Sequence, residues 1–220
     1  MERAGSRKPL RERACVTLAS VPDRYGPRTA LVVVDVQNDF ADPQGSLFVK
    51  GAAEILPLVN SEARLASEAG AFVVYTQDWH PESTPHFAKD GGIWPVHCVA
   101  DSWGAAFHPA LSVIGPSVRK GQNGEDGYSG FTMRDPATGA TSNTELEGLL
   151  RERGVEKVVV VGLATDYCVS ATALDAARLG YDTASLTDAI AAVDLQPGDG
   201  DRALQAMRDT GVALEQTRMR

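Results

Sequence analysis

Val158-Val159-Val160-Val161-Gly162-Leu163-Ala164-Thr165-Asp166-Tyr167-Cys168-Val169 decides the fold. Four consecutive valines are too apolar and too β-branched for a solvated segment, so they read as a central strand. Ser170 to Ala177 is helical in composition, and Gly180 is placed to cap its C-terminal end. The chain turns sharply between the two, with Cys168 at the start of the helix. Unpaired backbone N–H groups and the positive end of the helix dipole favour thiolate over thiol at such a position. A cysteine there reads as a nucleophile if a base is nearby, and otherwise as a small buried hydrophobe.

The same alternation extends in both directions from this stretch. Leu31-Val32-Val33-Val34 predicts a first buried strand ending in Asp35, residues 52–69 a helix closed by Gly70, and residues 71–76 a second strand. A short third strand includes Val118 and Arg119, and residues 144–153 form a helix stopped near Gly154. After the valine strand and its helix come a weaker strand over 183–186, a helix over 199–210 and a last strand over 212–214. Strands alternating with helices imply a parallel sheet covered on both faces. Residues 1–28 carry many charges with Pro9, Pro22 and Pro27, and read as a partly ordered extension before a single domain over 29–220.

A chain of 220 residues with 43% hydrophobic content suits one soluble domain with a well-buried core. No apolar run approaches the roughly 20 residues needed to span a bilayer, and no apolar segment follows the basic opening as a signal peptide requires. A net charge of -8 disfavours nucleic acid. Three widely spaced cysteines, Cys15, Cys98 and Cys168, argue against a disulfide framework and for a reducing, cytoplasmic compartment. Oligomeric state is left open, a homo-oligomer included.

About 40 residues separate the second and third strands, a length that points to function, and all four histidines lie there. Asp78, His80, His86 and His97 supply one oxygen and three nitrogen donors, a set suited to Zn, Fe or Mn. His108, in a turn before Pro109, is set aside. Asp35 and Lys120 each end a strand, where open α/β sheets build their sites. A lysine near Cys168 would lower the thiol pKa and stabilise a reacting oxyanion. Each residue also has a plain reading: Asp35 satisfying a neighbouring loop, Lys120 solvated. Asp39 and Asp42 look like turn residues ahead of Pro43 and Gly45.

Five collinear segments together resemble the nicotinamidase (pyrazinamidase) branch of the isochorismatase-like hydrolases. They are Val34 to Phe40, Thr76 to His80, Trp94 to Val99, Asp126 to Phe131 and Gly162 to Val169. The resemblance implies a doubly wound α/β domain with a six-stranded parallel sheet and an Asp35–Lys120–Cys168 triad. It also implies one divalent transition metal ion on Asp78, His80, His86 and His97. A cis Leu163–Ala164 peptide is implied as well, with an oxyanion hole from the N–H groups of Ala164 and Cys168. Phe40 and Trp94 match positions that sandwich a flat ring, and Tyr128 lines the same pocket. Tyr167 stands where some relatives have histidine. The implied reaction is hydrolysis of a small carboxamide, nicotinamide and also pyrazinamide, through a cysteine thioester. Rival readings are a metal-free carbamoyl or ureido amidase of the same superfamily and a non-catalytic metal-binding relative. The complete donor set favours the first reading over the amidase. Isochorismatase proper needs no cysteine nucleophile, and a redox protein would show a Cys-x-x-Cys pair.

Overall fold

The computed structural model describes residues 24–217. A six-stranded parallel sheet has the order β3-β2-β1-β6-β7-β8. These strands are β1 (Thr29–Val34), β2 (Phe72–Asp78), β3 (Ser117–Lys120), β6 (Lys157–Leu163), β7 (Asp182–Ala191) and β8 (Ala213–Glu215). A small antiparallel hairpin, β4 (Thr132–Arg134) with β5 (Thr141–Asn143), stands apart from it. The helices are α1 (Asn38–Ala41), α2 (Ala52–Glu68), α3 (Leu146–Glu152), α4 (Ser170–Arg178) and α5 (Asp199–Asp209).

The sheet is sandwiched because its central strands are apolar on both sides. Leu31, Val33, Val159 and Val161 pack into one cluster with Ile55, Val59 and Ala63 of α2. Ala30, Val32, Val34, Val158 and Val160 pack into the other with Leu146 and Leu150 of α3, Ala173 and Ala176 of α4, and Met207 of α5. Residues 158–161 have no exposed surface. Burying each valine side chain is worth roughly 1.5–3 kcal/mol, so the strand leading to Cys168 is firmly anchored.

The expected elements are present, with several differences. β2 runs on to Asp78 because buried Gln77 and Asp78 find partners for their polar groups. β7 is ten residues long and carries a register shift against β6 between Val160 and Gly162, which hides its alternation from a pattern search. Of the expected extension, residues 1–23 lie outside the described residues. Arg24 and Tyr25, assigned to it by sequence, are instead buried against the domain. Arg24 pairs with Glu62 at 2.8 Å and Glu215 at 3.1 Å, and the Tyr25 hydroxyl donates to Glu62 at 2.6 Å. Among the described residues no helix is long and apolar enough to cross a membrane.

Candidate active site

Strand order fixes where the site forms. β1, β2 and β3 progress one way from the centre, while β6, β7 and β8 progress the other. The order therefore reverses between β1 and β6, and a crevice opens beyond their carboxyl ends. Asp35 follows β1 directly, and Cys168 follows β6 within a π-helical turn, Thr165–Val169, that runs into α4. The two strands approach so closely that Gly162, at φ 111°, would place a Cβ 2.2 Å from the Val34 carbonyl oxygen. Only glycine fits there.

Asp35, Lys120 and Cys168 meet in the interior. Lys120 Nζ lies 2.8 Å from Asp35 Oδ2, donates to Asp78 Oδ1, and is 3.5 Å from Cys168 Sγ. Thr76 Oγ1 donates to Asp35 Oδ1 at 2.6 Å, leaving Oδ2 as the carboxylate edge that faces the lysine. Side chains of Lys120 and Asp35 are each 1% exposed. Burial would neutralise the lysine, but Asp35 and Asp78 outweigh it and hold the ammonium charged. Burial raises the Asp35 carboxyl above its ordinary range even against the pull of Lys120. At Asp78 burial also pushes upward, but Lys120 and then His80 reverse it and keep the carboxyl far below the usual range.

Cys168 departs from the expectation of a ready thiolate. Burial pushes its thiol well above the ordinary value, Lys120 pulls it back, and Asp35 and Asp78 add to the push. The group rests as a thiol and needs a base to become a nucleophile.

The long β2–β3 connection folds back over this crevice and brings the histidines together. His80 N–H donates to the Cys98 carbonyl at 2.9 Å and Ala100 N–H to the His80 carbonyl at 2.8 Å, which sets His97 beside His80. A strand-like bridge between Phe87 and Trp94 delivers His86. One ring nitrogen from each of His80, His86 and His97 lies within 4.8 Å of the others, all buried. Asp78 Oδ2 stands 3.8 Å from Nε2 of both His80 and His97. That is too long for a hydrogen bond, yet two donors sharing an ion at about 2.1 Å can be up to about 4.2 Å apart. His80 is only 2% exposed, and neither of its ring nitrogens has a hydrogen-bond partner among the described residues. Such an orphan is costly unless something else satisfies it. His97 Nδ1 lies 2.8 Å from the Pro95 carbonyl, a contact that leaves Nε2 its lone pair. Burial, then the neighbouring His80 and His97, lowers His86 to about 4, so it stays neutral and ligand-competent at pH 7. These four side chains fit a divalent transition ion.

A cavity connects the two clusters. Cys168, Asp78, His80, His86 and His97 line it together with Phe40, Trp94 and Tyr128. Ala164 lines it as well, and the Leu163–Ala164 peptide is cis. Trp94 Nε1 donates to Tyr128 Oη at 3.0 Å. Tyr167 stands edge-on to Trp94 and Tyr128, with centroids 5.0 and 5.2 Å away, and completes an aromatic wall.

Other residues come into view only in three dimensions. Asp39 is not a plain turn residue: its carboxylate accepts Cys98 N–H at 2.7 Å and Ser46 N–H at 3.1 Å, tying the histidine segment to the loop after α1. Asp166 accepts the N–H groups of Val193 and Asp194, each at 2.9 Å, and so anchors the Cys168 turn. His108 lies outside the cavity lining, as expected.

A doubly wound sheet with an acid, a lysine and a cysteine at its switch point, beside a histidine cluster, has the build of a hydrolase. Comparison with known proteins agrees. The sequence model of the isochorismatase domain matches residues 29–218. The nicotinamidase/pyrazinamidase of Mycobacterium tuberculosis is 40% identical, over 84% of this chain and 97% of its own length. A pyrazinamidase of Pyrococcus horikoshii, solved in complex with zinc, superposes with a TM-score of 0.77 at 40% identity, covering 86% of this chain and 99% of that one. A protein of L. infantum solved in complex with nicotinate gives a TM-score of 0.78 at 36% identity, over 87% and 94% of the two chains. The chain belongs to the isochorismatase family.

Proposed function

We propose that this protein is a metal-dependent nicotinamidase that hydrolyses nicotinamide to nicotinate and ammonia, and pyrazinamide likewise. The observation that carries the choice is His80, one of three clustered imidazoles in the wall of the cavity that holds Cys168, buried with no hydrogen-bond partner among the described residues. A metal-free carbamoyl amidase would have no use for that donor set.

In the first half-reaction Asp35 removes the thiol proton of Cys168. Burial raises the Asp35 carboxyl and so makes it a stronger base than an ordinary aspartate. Lys120 stays charged and balances whichever group is the anion. The thiolate attacks the carboxamide carbon, and the developing oxyanion is taken by the N–H groups of Ala164 and Cys168. Asp35 returns the proton to the amide nitrogen, ammonia leaves, and a thioester remains. In the second half Asp35 accepts a proton from water, which attacks the thioester, and Cys168 recovers its proton as nicotinate departs. Phe40, Trp94 and Tyr128 hold the flat ring, with Tyr167 behind two of them. Asp78, His80, His86 and His97 would hold one Zn, Fe or Mn ion, which supplies a Lewis acid for a lone-pair donor such as a pyridine nitrogen. The free, buried Cys98 and Cys168 fit a reducing, cytoplasmic setting.

Cys168→Ala tests the nucleophile. Ammonia release should vanish while bound metal per chain stays the same, and turnover retained by the variant would refute the assignment.

A further inference from the structure

The pairing of β1 with β2 stops short of the site. Its ladder ends at Val33 with Tyr75. Asp35 then turns into the left-handed region at φ 48°, and its N–H reaches back to the Thr76 carbonyl at 3.3 Å. The backbone of β1 therefore leaves before it can pair with Asp78, whose N–H and C=O point to that side. On the far side β2 is secured by β3: Asp78 pairs with Lys120, and Trp79 N–H donates to the Lys120 carbonyl at 2.9 Å.

The side chain of Gln37 fills the gap. Its Oε1 accepts Asp78 N–H at 2.8 Å, and its Nε2 donates to the Asp78 carbonyl at 2.8 Å. The second Nε2 hydrogen goes to the Ala105 carbonyl at 2.8 Å. The residue is wholly buried. Its primary amide thus makes the two bonds that a β1 peptide would have made, and adds a tie to the loop before β3. Asp78 is the residue that needs such control, because its Oδ1 accepts from Lys120 while its Oδ2 faces His80 and His97. A small rotation of the backbone there would take one oxygen off its target.

We infer that Gln37 is a positioning residue for the metal site, its side-chain amide standing in for the β1 backbone to fix how Asp78 divides its carboxylate between Lys120 and the histidines. The inference rests on the metal reading given above. Replacing a partner that orients a metal ligand typically weakens the site by about 10–100-fold.

The test is a Zn²⁺ titration under chelator competition on the full chain, comparing wild type, Gln37→Leu and Asn60→Leu. Asn60 makes a similar amide clamp outside the cavity, donating to the Ala110 carbonyl and accepting Ser112 N–H, both at 2.8 Å. Gln37→Leu should raise the Zn²⁺ Kd by about 10–100-fold, with kcat recovering as Zn²⁺ is raised to saturation. Asn60→Leu should leave Kd within about twofold, although it too loses both bonds of an amide clamp. Gln37→Glu keeps the acceptor for Asp78 N–H and loses the donors, so it carries the comparison if Gln37→Leu does not fold. An unchanged Kd in a folded Gln37 variant, beside a wild type that binds tightly, overturns the inference alone. A wild type that takes up no ion overturns the metal reading and this inference with it.

Discussion

Replacing Lys120 by methionine keeps the volume of the side chain and removes its charge from the centre of the site. The ammonium sits 2.8 Å from Asp35 and in direct contact with Asp78, with side chains 1%, 1% and 8% exposed for Lys120, Asp35 and Asp78. At an effective dielectric of about 20, each such contact is worth about 6 kcal/mol before the cost of burying the lysine. What is left behind is two carboxylates and a sulfur within 4.8 Å of one another. Removing one partner of a buried ion pair costs about 3–5 kcal/mol, or about 6–20 °C in Tm for a domain of this size. The sign of the pH dependence follows from the carboxylates. Without Lys120 their pKa values in the folded state rise above the unfolded ones, so the loss is greatest near neutral pH and shrinks as acid protonates them. Denaturant unfolding of chelator-stripped wild type and variant at about pH 7.5 and about pH 5.5 measures both effects. Adding Asp35→Asn to Lys120→Met should recover part of the deficit, by more than about 1 kcal/mol of coupling. A deficit below about 1 kcal/mol at neutral pH, or one that does not change with pH, would refute the electrostatic reasoning.

Two further substitutions probe the geometry. Thr76→Val removes the hydroxyl that donates to Asp35 Oδ1 at 2.6 Å and leaves a buried acceptor short, so stability should drop by about 1–3 kcal/mol and kcat should fall with KM little changed. Steady-state kinetics on nicotinamide checks this. Gly162→Ala places a Cβ 2.2 Å from the Val34 carbonyl oxygen at φ 111°, so a thermal melt should show a loss of at least about 2 kcal/mol, together with lost turnover from a displaced Cys168.

The sequence makes legible those features that local chemistry dictates. The valine runs at β1 and β6 must be buried, and a buried strand must end in a residue that can face the crevice, so Asp35, Lys120 and Cys168 could be found at strand ends. The histidines stood out because all of them fall in one long connection. What escaped was long-range or masked by polarity. Gln37 and Asp78 are 41 residues apart, and nothing in a glutamine's neighbours says that it will bond to a distant backbone. Asp39 has the surroundings of a turn residue, and only the folded loop shows its carboxylate holding Cys98. The β4–β5 hairpin is polar and largely exposed, so no alternation marks it. Arg24 and Tyr25 lie in a charged, proline-rich stretch, and their burial depends on Glu62, far along the chain. At Cys168 a helix start argues for thiolate, whereas the depth of burial, invisible in sequence, pushes the thiol upward.

The central claim is that the Asp35–Lys120–Cys168 cluster and the histidine site act together on a pyridine carboxamide. Ammonia release from nicotinamide by the purified protein, followed before chelation, after chelation and after restoring Zn, Fe or Mn, tests it most directly. Turnover that falls on chelation and returns with metal is the predicted result. No turnover in any metal state, from protein shown to be folded, would contradict it and point to a carbamoyl amidase or a non-catalytic relative.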